Sequence, residues 1–225
     1  MPWRVAFDWP SGCLFGKATP RGPTPPQYIL HVMNPNPPES EIARLTALAN
    51  QAAHYANHMM LTTGSVPPTV IADTSDGYVF GMPSGLPDEA AKDRFAEAAR
   101  LLAVAHGATA IAMILEAWVR LPDASGHLDT HTPPSQAPDR KEMVVVVVEG
   151  TTRCANRFLP IIRDTAGGFI EFGHHPMPDF ANAEGRFAGL MPKHQAGPAD
   201  VARARTGLAA MGFTVARRGG DPMAN

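Results

Sequence analysis

The residues best placed to do chemistry are one carboxylate inside an apolar stretch and three pairs of closely spaced histidines. Glu116 follows Ala-Ile-Ala-Met-Ile-Leu and precedes Ala-Trp-Val-Arg. A carboxylate in such a stretch must find a partner or take up a proton more readily than in water. It is either an acid or base in a cleft, or one half of a structural ion pair with Arg140 or Lys141, with Trp118 covering it. The structural pair with Arg140 is the favoured reading. His54 and His58 stand one helical turn apart, a spacing that can bring two imidazoles to one metal ion. Tyr55 follows the first of them, where a metalloprotease helix carries Glu. His127, Asp129 and His131 put three possible ligands into five residues, and His174-His175 precedes Pro176. With Asp73 or Glu116 as the carboxylate, the pair 54/58 or 127/131 would suit a metal-dependent hydrolase. Boundary and loop histidines are the simpler account of each. No Gly-x-Ser-x-Gly elbow, Cys-x-x-Cys, Walker loop or Gly-x-Gly-x-x-Gly occurs, so no cofactor is expected.

These residues need elements to hold them, and the clearest element is the run Val144 to Val148. A strand with one wet face alternates apolar and polar residues, whereas an unbroken β-branched run indicates a strand covered on both faces. The stretch 110–121 reads as its neighbour. There Ile111, Met113, Leu115, Ala117 and Val119 share one face, and Ile114, Glu116, Trp118 and Arg120 the other. Further strands are expected near 158–163 and 169–172, and a hairpin within 69–80 turns at Thr74-Ser75-Asp76-Gly77. Asn36-Pro37-Pro38-Glu39 suggests a helix start, and the stripe Ile42, Leu45, Leu48, Ala52, Tyr55, Met59 carries that helix to about residue 63. A second helix spans about 88–106 and stops at Gly107. Residues 174–197 read as loop, 198–211 as a last short helix, and the end as a polar tail. The order implies an α+β fold: a largely antiparallel sheet, strands near 110–121, 140–149, 158–163 and 169–172, packed by helices near 36–63 and 88–106.

Three stretches follow: an aromatic arm and Pro-rich linker (1–35), the α+β core (36–175), and a loop, short helix and basic tail (176–225). Trp3, Phe7 and Trp9 are costly to leave in water, so the arm should dock on its own domain or another molecule. The 23 prolines, about twice the usual share, sit between elements, and only 18% of residues are charged. Low charge favours burial against a protein partner or a second copy. The net charge of −2 gives no general attraction to nucleic acid. Residues 193–225 carry Lys193, Arg203, Arg205, Arg217 and Arg218 against Asp200 and Asp221, which offers a weak nucleic-acid or acidic-protein contact through Arg217 and Arg218. Cys13 and Cys154 are too few for a disulfide framework, and neither a signal layout nor an apolar run of membrane length is seen. A cytoplasmic protein away from membranes is expected.

Glu116-Ala117-Trp118, the Pro-rich loop 122–138, and Asp139-Arg140-Lys141-Glu142 before the aliphatic strand form one pattern. In it, residues from about 90 to 172 resemble a domain of bacterial, plasmid and phage proteins that has no assigned activity. The resemblance implies no catalytic residue. Low charge, the aromatic arm, the doubly covered strand and the lack of a catalytic constellation favour a non-enzymatic interaction protein, and the resemblance gives it the form of an accessory protein of a mobile element or virus, one that inhibits a host factor or joins an assembly.

Overall fold

The valine run lies at the centre of a sheet with a helix on each face. A computed structural model describes residues 6–8, 40–120, 131–174 and 187–217. Its elements are β1 (Ala6–Asp8), α1 (Glu41–Thr63), β2 (Thr69–Thr74), β3 (Gly77–Met82), α2 (Glu89–His106), β4 (Ala110–Arg120), a 3₁₀ turn (Pro134–Gln136), β5 (Lys141–Glu149), β6 (Cys154–Arg163), β7 (Phe169–Phe172), α3 (Pro198–Ala210) and β8 (Thr214–Arg217). The described strands run antiparallel in the order β7-β6-β5-β4-β2-β3-β8. β2 pairs with β4 up to Ile114, and β1 takes the same edge of β4 from Trp118 to Arg120. The α+β class with helices packed on a largely antiparallel sheet therefore holds.

None of the five valines is more than 6% exposed. Val144, Val146 and Val148 pack toward α1 with Leu45, Leu48, Ala52 and Ala56. Val145 and Val147 pack toward α2 with Phe95, Ala99 and Leu102. Each such side chain, fully buried, contributes roughly 1.5–3 kcal/mol. The second cover is therefore supplied by α1.

Capping groups fix where the helices lie. The cap of α1 is Ser40, in extended conformation, whose Oγ accepts the Ala43 N–H at 3.2 Å. The helix thus begins at Glu41 and not at 36, because the serine hydroxyl satisfies an orphan amide of the first turn. Glu41 then reaches across to the β5–β6 turn and accepts the Thr152 N–H at 2.8 Å. Gly150 leaves room for this, since a Cβ there would collide with the Glu41 carboxylate. Gly64, at φ 77°, closes α1 in the left-handed conformation that glycine adopts without strain.

Both ends of the described chain join the same sheet. Ala6–Asp8, from the stretch read as an arm, pairs with β4; Trp3, Trp9 and the Phe7 side chain lie outside the described residues. The polar tail is a misreading at 214–217, where β8 pairs with β3 through Thr214↔Met82 to Arg217↔Val79. The stretch 187–191 is not a free loop. Glu149 accepts the N–H groups of Leu190 and Met191 at 2.9 and 3.0 Å, and Arg100 Nε donates to the Gly189 carbonyl at 3.0 Å. Gly207 lets α3 close onto α2, because a Cβ there would sit 2.9 Å from Leu101 Cδ1. Among the described residues no helix is long and apolar enough to cross a membrane.

Candidate functional site

Past the end of α1 the sheet face it covers turns from apolar to charged. On β4, Ala110, Ala112 and Ile114 lie under α1, and the next residues on that face are Glu116, Trp118 and Arg120. Glu142 stands opposite Trp118 on β5, on the face of Val144. Arg163 ends β6 beside it.

The Glu116 carboxylate accepts the Val66 N–H at 2.5 Å and so fastens the α1–β2 connection to the sheet. Burial pushes its pKa above the usual carboxylate value. The Val66 bond opposes that shift, the charge of Glu142 adds to it, and Arg163 opposes it. Arg163 binds Glu142 in a two-pronged pair, Nε at 2.9 Å and Nη2 at 2.7 Å. Its own pKa is raised, chiefly by that contact. Arg120, only 9% exposed, makes a similar fork to Asp139 at 2.9 and 3.2 Å. Arg140 lies over the Trp118 ring, 4.6 Å from its centre. Three carboxylates and three guanidinium groups thus gather on three adjacent strands, β4, β5 and β6, and the β4–β5 connection.

The expected Glu116–Arg140 pair is replaced in this arrangement. Arg140 stacks on Trp118 and donates to the Ser135 carbonyl, while the donor to Glu116 is a backbone amide fifty residues earlier in sequence. Lys141 is exposed on β5. Glu142 and Arg163 were not singled out from the sequence. The signal that could have found them is the strand period: Glu142 is two residues before Val144, hence on the α1 face, and the β5–β6 hairpin brings Arg163 to it.

The candidate metal ligands are not brought together. His54 is exposed on α1 and His58 half-buried on the next turn. Asp73 sits opposite Ala110 at one end of β4, and Glu116 is six residues further on, about 20 Å away by strand rise. Burial raises the Asp73 pKa, and Arg44 opposes the shift. His131 and His174 are exposed, and His127 and His175 lie outside the described residues. Among the described residues no group of three His, Cys, Asp or Glu side chains is placed to hold a metal ion. Of the basic C-terminal residues, Arg203 pairs with Asp200 on α3, the Arg217 backbone belongs to β8, and Arg218 lies outside the described residues. Cys154 is half-buried opposite Glu149, and Cys13 is outside the described residues.

No protein-family model, curated protein or solved structure matches this chain.

Proposed function

We propose that this chain is a non-enzymatic interaction protein, and that the outward face of α1 is its contact surface. The observation that carries this reading is the composition of that face. Ala43, Ala47, Asn50, His54, Asn57 and Leu61 are all exposed, and no Asp, Glu, Lys or Arg stands among them. The other helices differ. The exposed residues of α2 include Asp93, Arg94 and Glu97, and those of α3 include Arg203 and Arg205. A helix face that meets only water is ordinarily charged, and the cores of contact surfaces are depleted in charge. Leu61, 63% exposed, and Ile42, 42% exposed, add apolar area at the two ends of the helix.

The polar cluster at Glu116 suits a structural role in this reading. Its carboxylates accept hydrogen bonds from the fold itself: Glu116 from Val66, Glu142 from Arg163, Asp139 from Arg120. An accessory role in a mobile element or virus rests on the sequence resemblance alone. The test is a photo-crosslinking amino acid at position 47, with position 94 on the charged face of α2 as control. A discrete crosslinked species at 47 and none at 94 is expected in cells. Equal labelling at both positions, or none at either, removes the contact surface.

A further inference from the structure

We propose that the occupant of the α1 outer face is a second copy of this chain, docked with the two α1 helices antiparallel; the inference rests on the contact reading above. The argument begins with spacing. Residues 43, 47, 50, 54, 57 and 61 follow one another at 4, 3, 4, 3 and 4, so the seam reads the same in both directions about its midpoint at residue 52. That alternation is the 3.5-residue seam along which two helices pack at a shallow angle. A two-fold axis at the midpoint sets each residue against the one whose number makes the sum 104. A two-fold interface must be self-complementary in this way.

The residues brought together then fit in size and chemistry. Ala43 meets Leu61 of the second copy, a small side chain against a large one at both ends. Ala47 meets Asn57 of the second copy. At the centre Asn50 meets His54 of the second copy. The Asn50 oxygen is held by Arg157 Nη1 at 3.0 Å, so its amide N–H groups are the donors it can offer, and a neutral imidazole carries one acceptor nitrogen.

Charge complementarity points the same way. The last turn of α1 has no basic residue of its own, and its first turns hold the only two charged residues of the helix, Glu41 and Arg44. The antiparallel arrangement puts Arg44 of each copy level with the last turn of the other, near the carbonyl end where a cation is favourable, while Glu41 is held by Thr152 of its own copy. The helix dipoles also oppose. Area sets the strength. The seam spans 18 residues of rise, about 27 Å, and one helix pair of that length buries less than the roughly 800 Å² per partner of a standard interface. The dimer is therefore expected to form and dissociate with concentration.

The experiment uses the full chain. Sedimentation from about 1 to 200 µM should show mass rising from 24.0 kDa toward twice that value, and Ala47→Glu should hold it at the monomer with an unchanged circular dichroism spectrum. Geometry is tested with cysteines, in a background where Cys13 and Cys154 are serine. Ala47→Cys with Asn57→Cys should crosslink two copies on oxidation. Ala47→Cys alone should not, because the two residues 47 stand about 15 Å apart along the antiparallel seam, beyond the Cα separation a disulfide spans. A chain monomeric throughout overturns the inference, as does equal crosslinking by the single and double variants. If that monomer is still captured by another protein through position 47, the contact reading stands and only the second copy is lost.

Discussion

Replacing Arg163 with methionine tests how the polar cluster is held. Methionine keeps most of the side-chain length, so the change removes the charge and the two hydrogen bonds to Glu142 and leaves the packing near its former volume. Both partners are 27% exposed. A fully exposed pair contributes about 0.2–1 kcal/mol, and breaking a buried one costs about 3–5 kcal/mol. At this intermediate burial the loss should be about 2 kcal/mol at neutral pH. For a chain of this size that lowers the melting temperature by roughly 4–8 °C. The loss has a pH signature. Arg163 is the favourable charge beside Glu116, whose pKa burial already raises. Removing it leaves two carboxylates with no cation between them. As pH falls and Glu116 takes up a proton, the repulsion between the two carboxylates is relieved. Urea unfolding at pH 7 and at pH 4 should therefore show a smaller difference between variant and parent at the acidic end. A double-mutant cycle with Glu142→Gln should return a coupling of about 1 kcal/mol or more. A cost equal at both pH values, or a coupling near zero, would refute the electrostatic account and leave only packing.

Three further substitutions probe separate parts of the fold. Glu116→Gln keeps an acceptor for the Val66 N–H and removes a charge that burial disfavours, so stability at pH 7 should be equal or higher. Because the folded pKa is raised, that advantage should be full above it and vanish as pH falls to the ordinary 4.5, measured by urea titration across the range. Glu41→Ala should free the start of α1 from the β5–β6 turn and cost about 1 kcal/mol at neutral pH. Although burial alone would raise it, the Thr152 contacts hold the Glu41 pKa below 4.5. Its contribution should thus be complete above that value and disappear as pH drops through the lowered one, read out as a convergence of the two melting curves in acid. Val146→Ala, at a site with no solvent exposure, should cost about 2–3 kcal/mol by chemical denaturation. A cost below about 1 kcal/mol there would mean that the sheet is not covered on both faces.

How much of this was legible depends on whether a feature is local. The valine strand was, because a residue buried on either face leaves no polar position to alternate. The two-residue turn of the β2–β3 hairpin and the start of α2 near residue 88 were also legible, since each satisfies its backbone groups within a few residues. The start of α1 was misplaced because Asn36-Pro37-Pro38 imitates a first turn, while the true cap is decided by which side chain meets the amide of residue 43. β8 has four residues and no sheet of its own; its strand character comes from the edge of β3, whose paired residues lie 132 to 138 positions earlier in sequence (Met82↔Thr214 to Val79↔Arg217). The partner of Glu116 was out of reach for the same reason. A backbone amide leaves no mark in composition, and charge matching alone pointed to Arg140. The outer face of α1 was readable throughout, for charge is absent from the sequence between Arg44 and Thr63.

The extent of α1 explains where the polar cluster begins. The two faces of β4 and β5 are apolar for different lengths. Toward α2 the apolar character runs from Ile111 to Val119 and includes Met143. Toward α1 it stops after Ile114 and Val144. α1 ends at Gly64, and Val66 then lies over the sheet at Glu116. Beyond that point apolar side chains on this face would lose the helix that shields them, and the sequence changes to paired charges on three adjacent strands. The carboxylate that looked most like an active-site acid is thus the first residue past the helix cover, and it holds the chain as the helix is left behind. The same helix carries no charge on its far side, where water alone would favour it. Its inner face ends where the sheet becomes polar, and its outer face is uncharged along its length. The proposed contact on the outer face would give α1 a second neighbour besides the sheet.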